Sequence, residues 1–106
     1  MHKPVVFNVA GEIGQVMASV SKDGQELRDL ITKTLNAEKP VTLDFIDIDQ
    51  VTTSFLSASI GTLYDQFDVS FLEENLKCIN LPPAGETLLR SALEMSGSYM
   101  KSHQAV

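Results

Sequence analysis

The sequence predicts a single α/β domain with element order ββαβαβα, a mixed sheet with helices packed on it. Three observations carry this. Short runs of β-branched and aromatic residues alternate along the chain with segments whose apolar residues recur every three to four positions. The chain has 106 residues, of which 43% are hydrophobic and 21% charged, enough for one core and too apolar for disorder. No linker, repeat or low-complexity stretch divides it. Strands that alternate with helices imply parallel pairing through right-handed crossovers.

The first strand is read over Pro4 to Val9, ending at Ala10-Gly11-Glu12-Ile13-Gly14, where two glycines permit a turn. A second extended run from Gln15 to Val20 follows, so the opening reads as a hairpin. Asp23 stands three residues before Glu26, the spacing of a capping box, and marks the start of a helix. Leu27, Leu30, Ile31 and Leu35 form its buried face, and it ends before Pro40.

Val41 to Ile48 is the strongest strand, apolar on both alternating faces, as expected of a central strand covered on both sides. After Thr52-Thr53-Ser54 the spacing changes to Leu56, Ile60, Leu63, Tyr64 and Phe67, the face of a second helix with a hydroxyl residue as its N-cap. Val69 to Asn75 reads as a loop with a short helical turn. Leu76 to Leu81 resumes strand character, and Pro82-Pro83 opens a third helix with Leu88, Leu89, Ala92 and Leu93 inside. Gly97 is a natural stop. The expected domain is therefore 1–97, with 98–106 as a flexible tail.

Charge narrows the classes of function. Eight Lys and Arg against 14 Asp and Glu give a net charge of −6, which disfavours nucleic acid and anionic lipid as partners. The excess is local: residues 41–75 hold seven acidic residues and no Lys or Arg. Asp44, Asp47, Asp49, Asp65, Asp68, Glu73 and Glu74 bracket the central strand and second helix, as a solvated acidic face or as a field that steers a basic partner. No apolar stretch is long enough to cross a membrane and no secretory segment is visible, so the expected location is cytoplasmic. Cys78 is the single cysteine, set in an apolar strand where a thiol is inert.

Few residues offer chemistry. Asp47 and Asp49 follow a hydrophobic strand with the spacing of the first motif of haloacid-dehalogenase-type phosphatases, where one aspartate attacks phosphorus and the next acts as acid and base. The Lys and later acidic pair that such enzymes need have no counterpart. His2 and His103 lie near the two ends, and no Ser or Cys has an evident base. The expectation is no enzyme, no cofactor and no metal. The remaining candidate is Thr52-Thr53-Ser54, where a strand ends and a helix starts. A hydroxyl there caps the helix, and the free amides of a first turn can seat an anion.

Val41-Thr42-Leu43-Asp44-Phe45, a short loop and Val51-Thr52-Thr53-Ser54-Phe55-Leu56 resemble the core signature of STAS domains, the fold of bacterial anti-sigma factor antagonists and sulfate-transporter tails. The match is closest to uncharacterised STAS-like proteins that read LDF, then V, Ser or Thr, any residue, Ser, Phe. The closing Pro82-Pro83, Leu88-Leu89 and Met95-Ser96-Gly97 resemble the last STAS helix. The resemblance covers about residues 40–97. In the antagonists the motif is Asp-Ser-Ser-Gly-Leu, and its second serine is phosphorylated by a partner kinase. That serine corresponds to Ser54; Thr52, Thr53 and Phe55 replace the aspartate, the first serine and the glycine.

The resemblance implies a non-catalytic regulatory module that docks a protein partner, of the kind a histidine-kinase-like ATPase represents. Ser54 and Thr53 are the candidate phosphorylation positions, and Thr52, Thr53, Ser54, Phe55, Asp47 and Asp49 the candidate partner or ligand surface. Two alternatives stand beside it: a sensor that holds a small anionic ligand or nucleotide at the start of the second helix, and the Asp47/Asp49 phosphatase.

Overall fold

The computed structural model describes residues 3–94. The elements run β1 (Val5–Asn8), α1 (Val9–Ile13), β2 (Met17–Ala18), α2 (Ser21–Asn36), β3 (Val41–Asp44), β4 (Gln50–Val51), α3 (Thr53–Ser59), a 3-10 segment (Gly61–Asp65), α4 (Val69–Asn75), β5 (Leu76–Ile79) and α5 (Gly85–Glu94). The predicted α/β class stands, with five α-helices and strands in two sheets. The stop at Met95-Ser96-Gly97, the tail 98–106, His2 and His103 lie outside the described residues.

The opening is not a hairpin. Asn8 ends β1 by turning its side chain onto the next stretch: its Oδ1 accepts from the Gly11 amide at 2.7 Å and caps α1. Gly14, at φ 74°, closes that helix in the left-handed region. β2 then pairs in parallel with β4, Ala18 opposite Val51, and not with β1. With the hairpin gone, every described strand pairing is parallel, so the sheet is not mixed and the order differs from ββαβαβα.

The main sheet has strand order β1-β3-β5, which puts β3 at its centre as expected. Val5, Val41 and Leu76 lie in one register row and Phe7, Leu43 and Cys78 in another. Val41, Leu43 and Phe45 are buried against the helices. The strand is shorter than predicted and, among the described residues, is covered by helices on one side only. On the other face Val6 is 59% and Ile79 42% exposed, and Thr42 and Asp44 are half-buried.

Helix α2 starts at Ser21, before the predicted capping box, with Val20 at the cap and no side-chain hydrogen bond there. Asp23 falls in its first turn, where its carboxylate accepts from the side-chain Nε2 of Gln15. Leu27, Ile31 and Leu35 are buried as predicted. The second predicted helix divides at Ile60 into α3 and the 3-10 segment, yet Leu56, Ile60, Leu63 and Tyr64 all remain inside. The stretch Val69–Asn75, expected as a loop with a short helical turn, is helix α4 throughout. Pro82-Pro83 precede α5 in a turn closed by the Gly85 amide on the Pro82 carbonyl, so the helix starts at Gly85.

Candidate functional site

The Thr52–Ser54 stretch sits at the junction between β4 and α3, and three hydrogen bonds of the Thr52 amide and hydroxyl hold it there. Its amide donates to the Ala18 carbonyl at 3.0 Å, continuing the β2–β4 ladder by one residue. Its hydroxyl donates to the Ser19 carbonyl at 3.2 Å and accepts from the Phe55 amide at 3.1 Å. The extended backbone of Thr52, φ −114° and ψ 159°, is that of an N-cap residue. One side chain thus both satisfies a first-turn donor of α3 and ties that helix to the segment before α2.

This anchoring leaves Ser54 exposed in the first turn of α3, with Thr53 half-buried beside it. The two line a shallow groove of about 300 Å³ with Ser57 and Ala58 of α3 and Ser21 and Gln25 of α2. Its hydroxyls come from both helices, and its width is set by how closely the helices approach. Gly24 makes that approach possible: a Cβ there would lie 2.8 Å from the Phe55 carbonyl oxygen and 2.9 Å from the Ala58 Cβ. The Ser59 hydroxyl, fully buried, donates to the same Phe55 carbonyl at 2.8 Å.

Phe55 is corrected. Its side chain is 0% exposed and belongs to the core, so it supports the junction from beneath and offers a partner no surface. The spacing Phe55, Ser59, Ile60, Leu63 carries this signal, because it extends the inner face of the predicted helix back by one position. Ser21, Gln25 and Ser57 escaped the sequence reading. Ser21 and Gln25 precede Ser54 by some thirty positions, and only tertiary packing brings them to the groove.

Asp47 and Asp49 are both exposed, on the connection from β3 to β4. The Asp49 amide donates to the Val16 carbonyl at 2.8 Å. Asp47 borders a different, open hollow with Asn8, Ala10, Gly11, Gly14, Gln15 and Val16, and neither aspartate lines the groove at Ser54. Among the described residues no group of three or more His, Cys, Asp or Glu could hold a metal ion. No described helix is long and apolar enough to cross a membrane. Cys78 is half-buried on the inner face of β5, and burial pushes its thiol up to about 12.

A family model described as STAS-like domain of unknown function (DUF4325) matches residues 23–86, from the first turn of α2 to the start of α5. No curated protein and no solved structure matches the chain.

Proposed function

We propose that this chain, which belongs to the family of STAS-like domains of unknown function, is a non-catalytic regulatory module that docks a protein partner over the α2–α3 groove, with Ser54 as the pivot of that contact. The family assignment fits a general regulatory or interaction module. The observation that carries the finer reading is the contrast at the junction: Thr52 is fixed by three hydrogen bonds and Phe55 is fully buried, while Ser54 between them is exposed. A rigid base that presents one free hydroxyl is a suitable seat for a modification that must be read by another protein.

Phosphorylation of Ser54 would add about −1.5 to −2 charges at neutral pH. They would fall at the mouth of a groove otherwise lined by neutral side chains, in a segment that has no Lys or Arg between residues 41 and 75. The residues that line the groove include no Lys or Arg, so a partner surface complementary to the unmodified groove is repelled or requires a cation of its own. A kinase of the histidine-kinase-like ATPase class belongs to this proposal as the modifying partner, and Thr53 as a secondary acceptor. Asp47 and Asp49 border another part of the surface and are left out of the docking site.

Affinity capture from cells of the source organism tests the reading, using wild type, Ser54→Ala, Ser54→Asp and the distant control Lys33→Glu. The expected result is one partner retained by wild type, Ser54→Ala and Lys33→Glu and reduced at least tenfold by Ser54→Asp. A partner bound equally by Ser54→Ala and Ser54→Asp would place the interface elsewhere.

A further inference from the structure

We propose that two copies of this chain join through the free edge of β5 to form a continuous six-stranded sheet, with the hollow beneath β5 closed by reciprocal Glu86–Arg90 ion pairs between the two α5 helices. The edge comes first. Among the described residues β5 pairs only with β3 and ends the main sheet on that side. The Phe45 amide donates to the Ile79 carbonyl at 3.0 Å, so Ile79, and Lys77 two residues before it, turn their backbone groups inward toward β3. Leu76 and Cys78 therefore turn theirs outward. The Leu76 amide is already taken by the Leu72 carbonyl at the end of α4. Cys78 keeps both its amide and its carbonyl directed to the open edge.

A strand edge with this pattern is a template for pairing. A two-fold axis beside Cys78, perpendicular to the sheet, sets two β5 strands antiparallel and exchanges two N–H···O=C bonds between the Cys78 residues. Four residues per strand are too few to hold two molecules together alone. The surface below the edge supplies the rest. There a hollow of about 340 Å³ is lined by Leu76 and Cys78 of β5, Ile60 and Tyr64 near the 3-10 segment, and Leu81, Leu89 and Leu93 around α5. The α5 face is only partly covered, since Leu88, Leu89 and Leu93 are all half-buried.

Glu86 and Arg90 select a second copy as the occupant. They lie one helical turn apart on α5 and line the same hollow. Among the described residues neither makes an ion pair. The axis that makes the β5 strands antiparallel makes the α5 helices antiparallel too, on the same side of the sheet. Glu86 of each copy then faces Arg90 of the other, twice, and the apolar linings of the two hollows meet between them.

Sedimentation equilibrium of the full chain, with amide hydrogen exchange at Cys78, tests this. The expected mass is twice the 11.6 kDa of one chain, and protection of the Cys78 amide rises with protein concentration. Glu86→Arg alone and Arg90→Glu alone should each weaken the dimer at least tenfold, and the double reversal should restore it, because the pairs are reciprocal. Circular dichroism establishes that each variant is folded. A monomer at 100 times micromolar concentration overturns the proposal, whether or not a peptide from another protein occupies the edge. So does a dimer indifferent to both single reversals.

Discussion

A Cβ added to Gly24 would stand 2.8 Å from the carbonyl oxygen of Phe55, so helix α2 lies against the backbone of α3 with no space for one more methyl group. The neighbour is a main-chain atom that already accepts the Ser59 hydroxyl, and the Ala58 Cβ closes the other side at 2.9 Å. Neither can rotate away. Gly24→Ala gains about 1 kcal/mol of helix propensity and incurs overpacking of about 1–3 kcal/mol. The expected net effect is a destabilisation of about 1 kcal/mol, read as a lower urea midpoint. Adding Ala58→Gly recovers only part of it, because the Phe55 oxygen stays in place. A Gly24→Ala variant more stable than wild type would show that the helices separate freely.

Thr52 is the second determinant of the junction. Thr52→Ala removes the cap on the Phe55 amide and the bond to the Ser19 carbonyl together, at a cost of about 1–2 kcal/mol. Thr52→Ser keeps the hydroxyl and should stay within about 0.5 kcal/mol of wild type. Chemical denaturation of the three proteins separates these outcomes. Equal losses for Ala and Ser would assign the effect to the methyl group and not to the hydrogen bonds.

How much of this was legible depends on the range of the interaction. Leu27, Ile31 and Leu35 repeat within one helix, and their burial follows from spacing alone. The N-cap role of the hydroxyl triplet is equally local, although the sequence does not choose Thr52 over its neighbours. The opening hairpin failed because β2 pairs with β4, more than thirty residues on, while Asn8 diverts the intervening segment into α1. Asn8 and Gly14 are local caps for α1 that the turn reading passes over, and nothing within Val9–Val20 reports the pairing with β4. A glycine at position 24 is unfavourable for the helix taken alone, and its reason emerges only when α3 is placed beside it. The one-sided covering of β3 is likewise a property of the whole sheet.

Cys78 gives a pH-dependent prediction. Burial raises its thiol from 9.0 to about 12, so the folded protein keeps the proton where the unfolded chain has lost it. The sign follows from linkage: below pH 9 both states are protonated and stability is unaffected, and between pH 9 and 12 the unfolded state binds fewer protons, so stability falls as pH rises. The slope approaches about 1.4 kcal/mol per pH unit within that window. The measurement is the difference between wild type and Cys78→Ala in urea titrations from pH 8 to 11, which cancels the other titrating groups. In the native protein at pH 8, alkylation should be at least 100-fold slower than in the urea-unfolded chain. Equal alkylation rates in the two states would show an accessible, ionisable thiol.

Asn80 closes the C-terminal end of the main sheet through its backbone and its side chain at once. Its φ is 58°, in the left-handed region, where asparagine is tolerated and most residues are strained. Its Nδ2 donates at 3.0 Å to Asp44 Oδ1, which also accepts from the Ile46 amide at 3.0 Å, so the ends of β3 and β5 are tied together. Two substitutions separate the contributions. Asn80→Gly loses the side-chain bond but suits the backbone, and should cost about 0.5–1 kcal/mol. Asn80→Ala loses the bond and also keeps a Cβ at positive φ, adding about 1 kcal/mol. The expected order of stability in urea is wild type, then Gly, then Ala. If Gly and Ala are equally destabilised, the side-chain bond to Asp44 alone sets the stability of this corner and the left-handed backbone carries none of it.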